Sequence, residues 1–183
     1  MRVNKLMRRV VRREVLISSL SDTRREILDC ASTCAVEDSH RVFLGTWSLL
    51  DLLAHLTGWD HANVEAIQAV QAGRLPLFYR FHDRGWQSYN ATLVHKYRRA
   101  SLEEQIGQAA SSHLRLMEEL GDVPSEDIDR DFCVRFRGFR ITVGRLMEGE
   151  GRDEAEHLAQ VKKFLESAGG ERKSSPGSRL SGQ

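Results

Sequence analysis

Trp47-Ser-Leu-Leu-Asp-Leu-Leu-Ala-His-Leu-Thr-Gly-Trp-Asp60 reads as the opening of a long amphipathic helix. At about 100° per residue, Leu49, Leu53, Leu56, Val64 and Ile67 fall within about 60° of one direction, a core-facing stripe. His55 lies just outside that stripe, beside Leu52, Trp59, Ala62 and Ala66. A lone histidine in such a place is ordinarily a boundary residue, satisfied by a carbonyl or by water. The neighbouring alanines, however, leave room for something to approach the imidazole.

A second stretch, Glu150 to Gln160, answers the first. On the helix expected around residues 141–166, Val143, Leu146, Val161 and Phe164 define an apolar face, and Glu150, Asp153 and His157 are expected to share it. Charged groups are kept on a core stripe only when paired, hydrogen-bonded or bound to a cation. Asp153 and His157 are four residues apart and so are neighbours on a helix surface. That spacing can bring a carboxylate oxygen and an imidazole nitrogen to one ion, as helical histidine pairs do for zinc. His55, Asp153 and His157 are therefore the candidate metal ligands.

The remaining sequence bounds the reading. A chain of 183 residues with 40% hydrophobic and 29% charged content fits one globular domain. The net charge of +1 provides no global field toward nucleic acid or an anionic membrane, which makes a nucleic-acid partner unlikely. Three cysteines, Cys30, Cys34 and Cys133, make no disulfide framework and suit a reducing cytoplasm. No apolar run approaches the roughly 18 residues a membrane span requires.

Residues 1–12 form a basic extension, Arg2, Lys5, Arg8, Arg9 and Arg12, continued by Arg13, with no acid among them: a solvated extension or helix lead-in is preferred to an arm for an acidic partner or a targeting segment. A helical bundle over residues 13–167 follows, beginning with a helix from Arg13 to about Cys34. Thr46 or Ser48 can cap the second helix; if Ser48 does, Asp51 completes a capping-box-like pair. Gly73 should end that helix. The aromatic connection 73–82, interrupted by Pro76, should fold back so that Phe78, Tyr79 and Phe81 cover one end of the core. Residues 83–98 and 101–120 read as two collinear or kinked helices, the second restarting at Ser101-Leu-Glu-Glu104. His113 lies on the stripe of that second helix as a boundary histidine. Phe132 to Phe139 alternates like a strand, and an extended segment packed across the bundle is preferred to a hairpin. Its arginines, Arg135, Arg137 and Arg140, could meet an anionic group. Thr142 caps the last helix. Residues 168–183 are low in complexity and should be a disordered tail.

Four long helices with a polar cluster on two facing stripes describe an all-α four-helix bundle, with its site in the core and an extended crossover before the last helix. The pattern Trp47-Ser-x-x-Asp51-x-x-Ala-His55-Leu, answered on the last helix by Asp153-Glu-x-Glu-His157-x-x-Gln160, resembles the DinB-like (YfiT-like) superfamily. With Phe43-Leu-Gly-Thr-Trp47 it also resembles the ClbS/DfsB branch, which shares the bundle. The resemblance implies an up-down-down-up arrangement, often dimeric, with a divalent ion (nickel, zinc or iron) on positions corresponding to His55, Asp153 and His157. Asp153 departs from the common pattern, which has histidine there. The resemblance further implies a small-molecule substrate, handled by a metal-dependent transferase, isomerase or hydrolase, in some members with a low-molecular-weight thiol. On that reading Glu150 either supports the ligands from behind or acts as a general base, and Tyr89 or Asn90 orients substrate. The alternatives are a metal-free ClbS-like protein that binds or hydrolyses a reactive small molecule, and a dimeric structural bundle without catalysis.

Overall fold

The computed structural model describes residues 2–174, excepting the side chains of 2–6, 8, 9 and 169–174. Its helices are α1 (Arg2–Ser32), α2 (Val36–Ser39), α3 (Leu49–Gln71), α4 (Trp86–Tyr97), α5 (Leu102–Asp122) and α6 (Val143–Ser174). A 3-10 turn (Leu77–Phe81) and two short strands, β1 (Arg135–Phe136) and β2 (Phe139–Arg140), complete the described elements. Helices α1, α5, α3 and α6 pack in that order around a ring, each touching the next and α6 closing on α1. The chain is an all-α bundle.

Local chemistry sets the helix ends. Ser48 caps α3: the Asp51 amide donates to its hydroxyl, and the Ser48 amide donates to the Asp51 carboxylate at 2.9 Å. The other oxygen of Asp51 accepts from Arg98, tying the start of α3 to the end of α4. Gly73, at φ 69°, ends α3 by a Schellman motif, with Arg74 N–H on Ala69 C=O and Gly73 N–H on Val70 C=O. Ser101 accepts from the Glu104 amide at the start of α5. Thr142 accepts from the Arg145 amide at the start of α6.

Four sequence expectations change. Helix α1 begins at Arg2, so the basic extension continues the helix, and Arg12 pairs with Asp129 (2.7 Å) and Glu148 (2.9 Å). Helix α4 is not a collinear half of α5. It leaves the ring and lies on the outside of α3, where an ideal Cβ on Gly58 would stand 2.6 Å from Leu93 Cβ. The segment before α6 is a hairpin, turning through Arg137 (φ 50°) and Gly138 (φ 81°), the left-handed pair that suits a two-residue turn. Arg135 pairs there with Asp131 and Arg137 with Asp83, so both guanidiniums are engaged within the protein. At the other end α6 continues through Ser174, and residues 175–183 of the expected tail lie outside the described residues.

The core falls into two large apolar clusters and a smaller third one of Ala62, Ala66 and Phe78. The first gathers Leu20, Ile67, Leu116, Leu120, Val143 and Met147. The second gathers Ile27, Leu49, Leu53, Leu56, Val161 and Phe164. Between these two along α1, α3 and α6 come Arg24, Asp60, Glu150 and Glu154, all buried. This polar layer at mid-height positions the candidate site.

Candidate functional site

Helices α3 and α6 supply one wall each of a cavity of about 450 Å³. His55, Glu150, Asp153 and His157 line it, together with Trp47, Trp59, Trp86 and Asn90. The aromatic wall is built by Trp47 just before α3, Trp59 on α3 and Trp86 at the start of α4, with Phe78 of the connection packed behind. Trp59 packs edge-on to Phe78 (5.2 Å between ring centres) and beside Trp86 (5.3 Å), while Asn90 accepts from its indole N–H at 3.2 Å.

The two imidazoles face each other, ring centres 5.3 Å apart and planes at 82°. His55 is buried and rests on Trp47 at 4.6 Å; its Nδ1 has no hydrogen-bond partner. Burial, with the nearby His157 and Arg24, pushes its pKa down to about 3, so it is neutral at physiological pH. His157 Nδ1 lies 2.8 Å from Gln160 Oε1. The Gln160 amide nitrogen points to Glu156 at 3.4 Å, which fixes the amide orientation. The amide oxygen therefore accepts from His157 Nδ1–H, which makes Nε2 the atom with the lone pair whenever the ring is neutral.

Glu150 is buried, and Asn63 donates to its Oε2 at 2.7 Å. Burial raises its pKa first, and the Glu154 and Asp60 carboxylates raise it further, to about 8, against the Asn63 bond and the Arg24 charge. At neutral pH this side chain is a carboxylic acid, a proton donor. Asp153 behaves differently. It is exposed at the rim, its pKa raised by partial burial despite His157 and Arg152.

The acid that enters the core is Glu154, fully buried. Glycine apart, the buried residues of α6 run Val143, Met147, Glu150, Glu154, Val161, Phe164 and Ala168, in steps of three, four and seven. A seven-residue repeat carries the seam past Asp153 to the residue after it, which an ideal 3.6-residue wheel blurs. His55, Asp153 and His157 thus share one cavity but do not meet as a preassembled three-donor set. Among the described residues, the group whose donor atoms lie within 4.8 Å of one another is Asp60, His113 and Glu154. Tyr89 is not part of the cavity lining. It packs behind the wall, against Trp59 (5.6 Å) and Phe81 (4.8 Å), and burial raises its pKa.

The polar layer behind the cavity was missed in the sequence. Arg24 donates to both oxygens of Asp60 (2.7 and 3.0 Å) and to Glu154 (2.5 Å). Ser112 donates to Asp60 at 2.6 Å. Burial opposes the charge on Arg24, yet its two carboxylates raise its pKa above normal. Burial likewise works to raise Asp60, but Arg24 and His113 hold it below its ordinary value. A signal existed. Leu20, Arg24, Ile27 and Ala31 step by four, three and four, so Arg24 occupies a seam position flanked by core residues.

No protein-family model matches the sequence, and no curated protein matches it. Among solved structures the chain is similar to the colibactin self-resistance protein ClbS in complex with dsDNA. The TM-score is 0.67 at 13% identity, covering 84% of this chain and 94% of that one. The fold is ClbS-like. An uncharacterised protein from Escherichia coli UTI89 is similar too, with TM-score 0.68 and 16% identity, covering 86% of this chain and 94% of that one. One expectation is corrected by the first of these. ClbS is crystallised with a DNA duplex, so a net charge near zero does not make nucleic acid an unlikely partner for this fold. Net charge sums over all faces, whereas a polyanion responds to the local field of one. For the membrane, no helix among the described residues is long and apolar enough to cross one.

Proposed function

We propose that the cavity receives a small electrophilic organic molecule and hydrolyses a strained or activated bond in it by acid–base chemistry. The observation that carries this reading is the placement of a buried carboxylic acid, Glu150, and two imidazoles around one aromatic-walled cavity. A volume of about 450 Å³ suits a small ligand, and Trp47, Trp59 and Trp86 offer it flat apolar contact. The neighbour ClbS supports a reactive small molecule as the ligand class, since it is a colibactin self-resistance protein.

The roles follow from protonation. His157 Nε2, bare because Nδ1–H is held by Gln160, takes a proton from water as the oxygen attacks the electrophilic carbon. Glu150 gives its proton to the departing atom, so no free anion is expelled into the apolar pocket. The proton on His157 returns to Glu150 through solvent and both groups are restored. His55 Nδ1, with no partner, is free to hydrogen-bond the substrate. A low-molecular-weight thiol entering in place of water would use the same base. The donor atoms of His55, Asp153 and His157 do not fit a preformed metal centre, and each step above belongs to a side chain.

The test is hydrolysis of styrene oxide, a cyclopropyl ketone and para-nitrophenyl acetate by the full chain. Turnover of at least one probe is expected, falling on the order of 100-fold or more in His157→Ala and Glu150→Gln. Turnover that survives both substitutions would defeat the assignment, as would no turnover of any probe. A second reading, engagement of double-stranded DNA, is favoured by the ClbS complex. Anisotropy of a labelled duplex should show binding that weakens as salt rises. No change in anisotropy at low salt removes this second reading.

A further inference from the structure

The polar layer holds three donors that nothing in the proposed reaction uses. Asp60 comes from α3, His113 from α5 and Glu154 from α6, and one ligand atom from each lies within 4.8 Å of the others. All three are buried: His113 is 7% exposed, Asp60 and Glu154 0%. Arg24 occupies both oxygens of Asp60 but only Oε1 of Glu154. Glu154 Oε2 and both ring nitrogens of His113 have no hydrogen-bond partner. Buried polar atoms without partners are rare in native proteins and call for a cause.

The spacing supplies one. His113 Nδ1 stands 3.6 Å from Asp60 Oδ1, too far for a hydrogen bond. Two donors each about 2.1 Å from a common ion, at a tetrahedral angle, stand about 3.4 Å apart. The charges point the same way. Two carboxylates face one guanidinium, leaving one negative charge in excess inside the core, a charge that a divalent ion carrying one hydroxide would cancel.

We propose that Asp60, His113 and Glu154 bind a divalent transition-metal ion, Zn²⁺ by preference, that ties α3, α5 and α6 together at mid-height. One imidazole and two carboxylates are a competent set for Zn²⁺, with the hydroxide completing the tetrahedron. Arg24 keeps its bonds to Asp60 and to Glu154 Oε1, orienting both carboxylates from outside the ligand shell. The ion has a way in. A cavity of about 320 Å³ lies between α1 and α5, lined by Ser21, Arg25, Leu28, Met117, Arg24 and His113, the last two belonging to the layer. This centre is distinct from the His55–His157 cavity and involves none of the groups assigned to hydrolysis.

The test uses the full chain, purified without a histidine tag, stripped with chelator and titrated with Zn²⁺. One tightly held Zn²⁺ per chain is expected. At about a hundredfold excess over Kd it should raise Tm by roughly 5–10 °C. His113→Ala should lose the bound ion and the shift, while His55→Ala and His157→Ala keep both. If His113→Ala does not fold, X-ray absorption of the Zn²⁺-loaded wild type decides. A single imidazole among oxygen ligands supports the layer. Two imidazoles would place the ion between His55 and His157 and overturn the proposal. Absence of stoichiometric binding, or binding that survives His113→Ala, overturns it as well.

Discussion

Replacing Glu150 with glutamine should make the protein's stability much less sensitive to alkaline pH. In the folded chain the Glu150 carboxyl is pushed up to about 8, from 4.5 when unfolded. Between those values the folded state holds a proton that the unfolded state has released, so stability falls as pH rises. His55 has the opposite sign. Its pKa is pushed down from 6.5 to about 3, so between those values the unfolded state holds the extra proton and stability rises with pH. From pH 4.5 to 6.5 the two slopes oppose each other. From pH 6.5 to 8 only the Glu150 slope remains. One and a half pH units at about 1.4 kcal/mol per unit come to about 2 kcal/mol. Glu150→Gln stays uncharged, and its amide oxygen can still accept from Asn63. Urea unfolding of chelator-stripped protein at pH 6.5 and pH 8 should therefore show the wild type losing about 2 kcal/mol more than the variant. Parallel losses would mean that Glu150 is already ionised at pH 6.5, and the acid role assigned to it would fail.

Other perturbations probe the layer and the ends of the helices. Arg24→Leu leaves Asp60 and Glu154 buried without their cation, and should cost about 3–5 kcal/mol in denaturant unfolding; a loss below 1 kcal/mol would refute the accounting. Gly58→Ala drives a methyl into Leu93, and displacing α4 should cost about 1–3 kcal/mol, read as a lowered Tm and a changed fluorescence of Trp59. An unchanged melt would show that α4 gives way freely. Asp51→Ala removes the reciprocal half of the α3 cap and the acceptor for Arg98, with an expected loss of about 1 kcal/mol. Its Tm should fall by only a few degrees, and abolished folding would contradict a capping role.

What could be read beforehand was whatever depends on neighbours in sequence. Ser48 with Asp51, Gly73 and Thr142 mark helix ends because capping and left-handed termination are local events. The leucine stripe of α3 was legible for the same reason. What failed depended on longer geometry. Asp153 and Glu154 are adjacent, and choosing between them requires knowing that α6 packs on a seven-residue seam. Tyr89 and Asn90 were alternatives one residue apart on α4, and which of them faces the cavity depends on how α4 docks on α3: Asn90 lines it, and the Tyr89 ring packs behind Trp59. Arg24, on α1, could be suspected from its seam position, but its partners lie on other helices, Asp60 on α3 and Glu154 on α6. Nothing in the spacing along one chain announces a contact across 130 residues.

The Arg24 layer also fixes how the helices may slide. An α-helix displaced by one turn moves about 5.4 Å along its axis. The greasy surfaces above and below would tolerate such a slip, since leucine meets leucine either way. The guanidinium would not, because a shift of α6 by that distance carries Glu154 out of its reach and strands both charges. The layer works as a notch that admits a single axial alignment of α1, α3 and α6. The same notch keeps His157 level with His55, and so holds the two imidazoles at one height in the cavity.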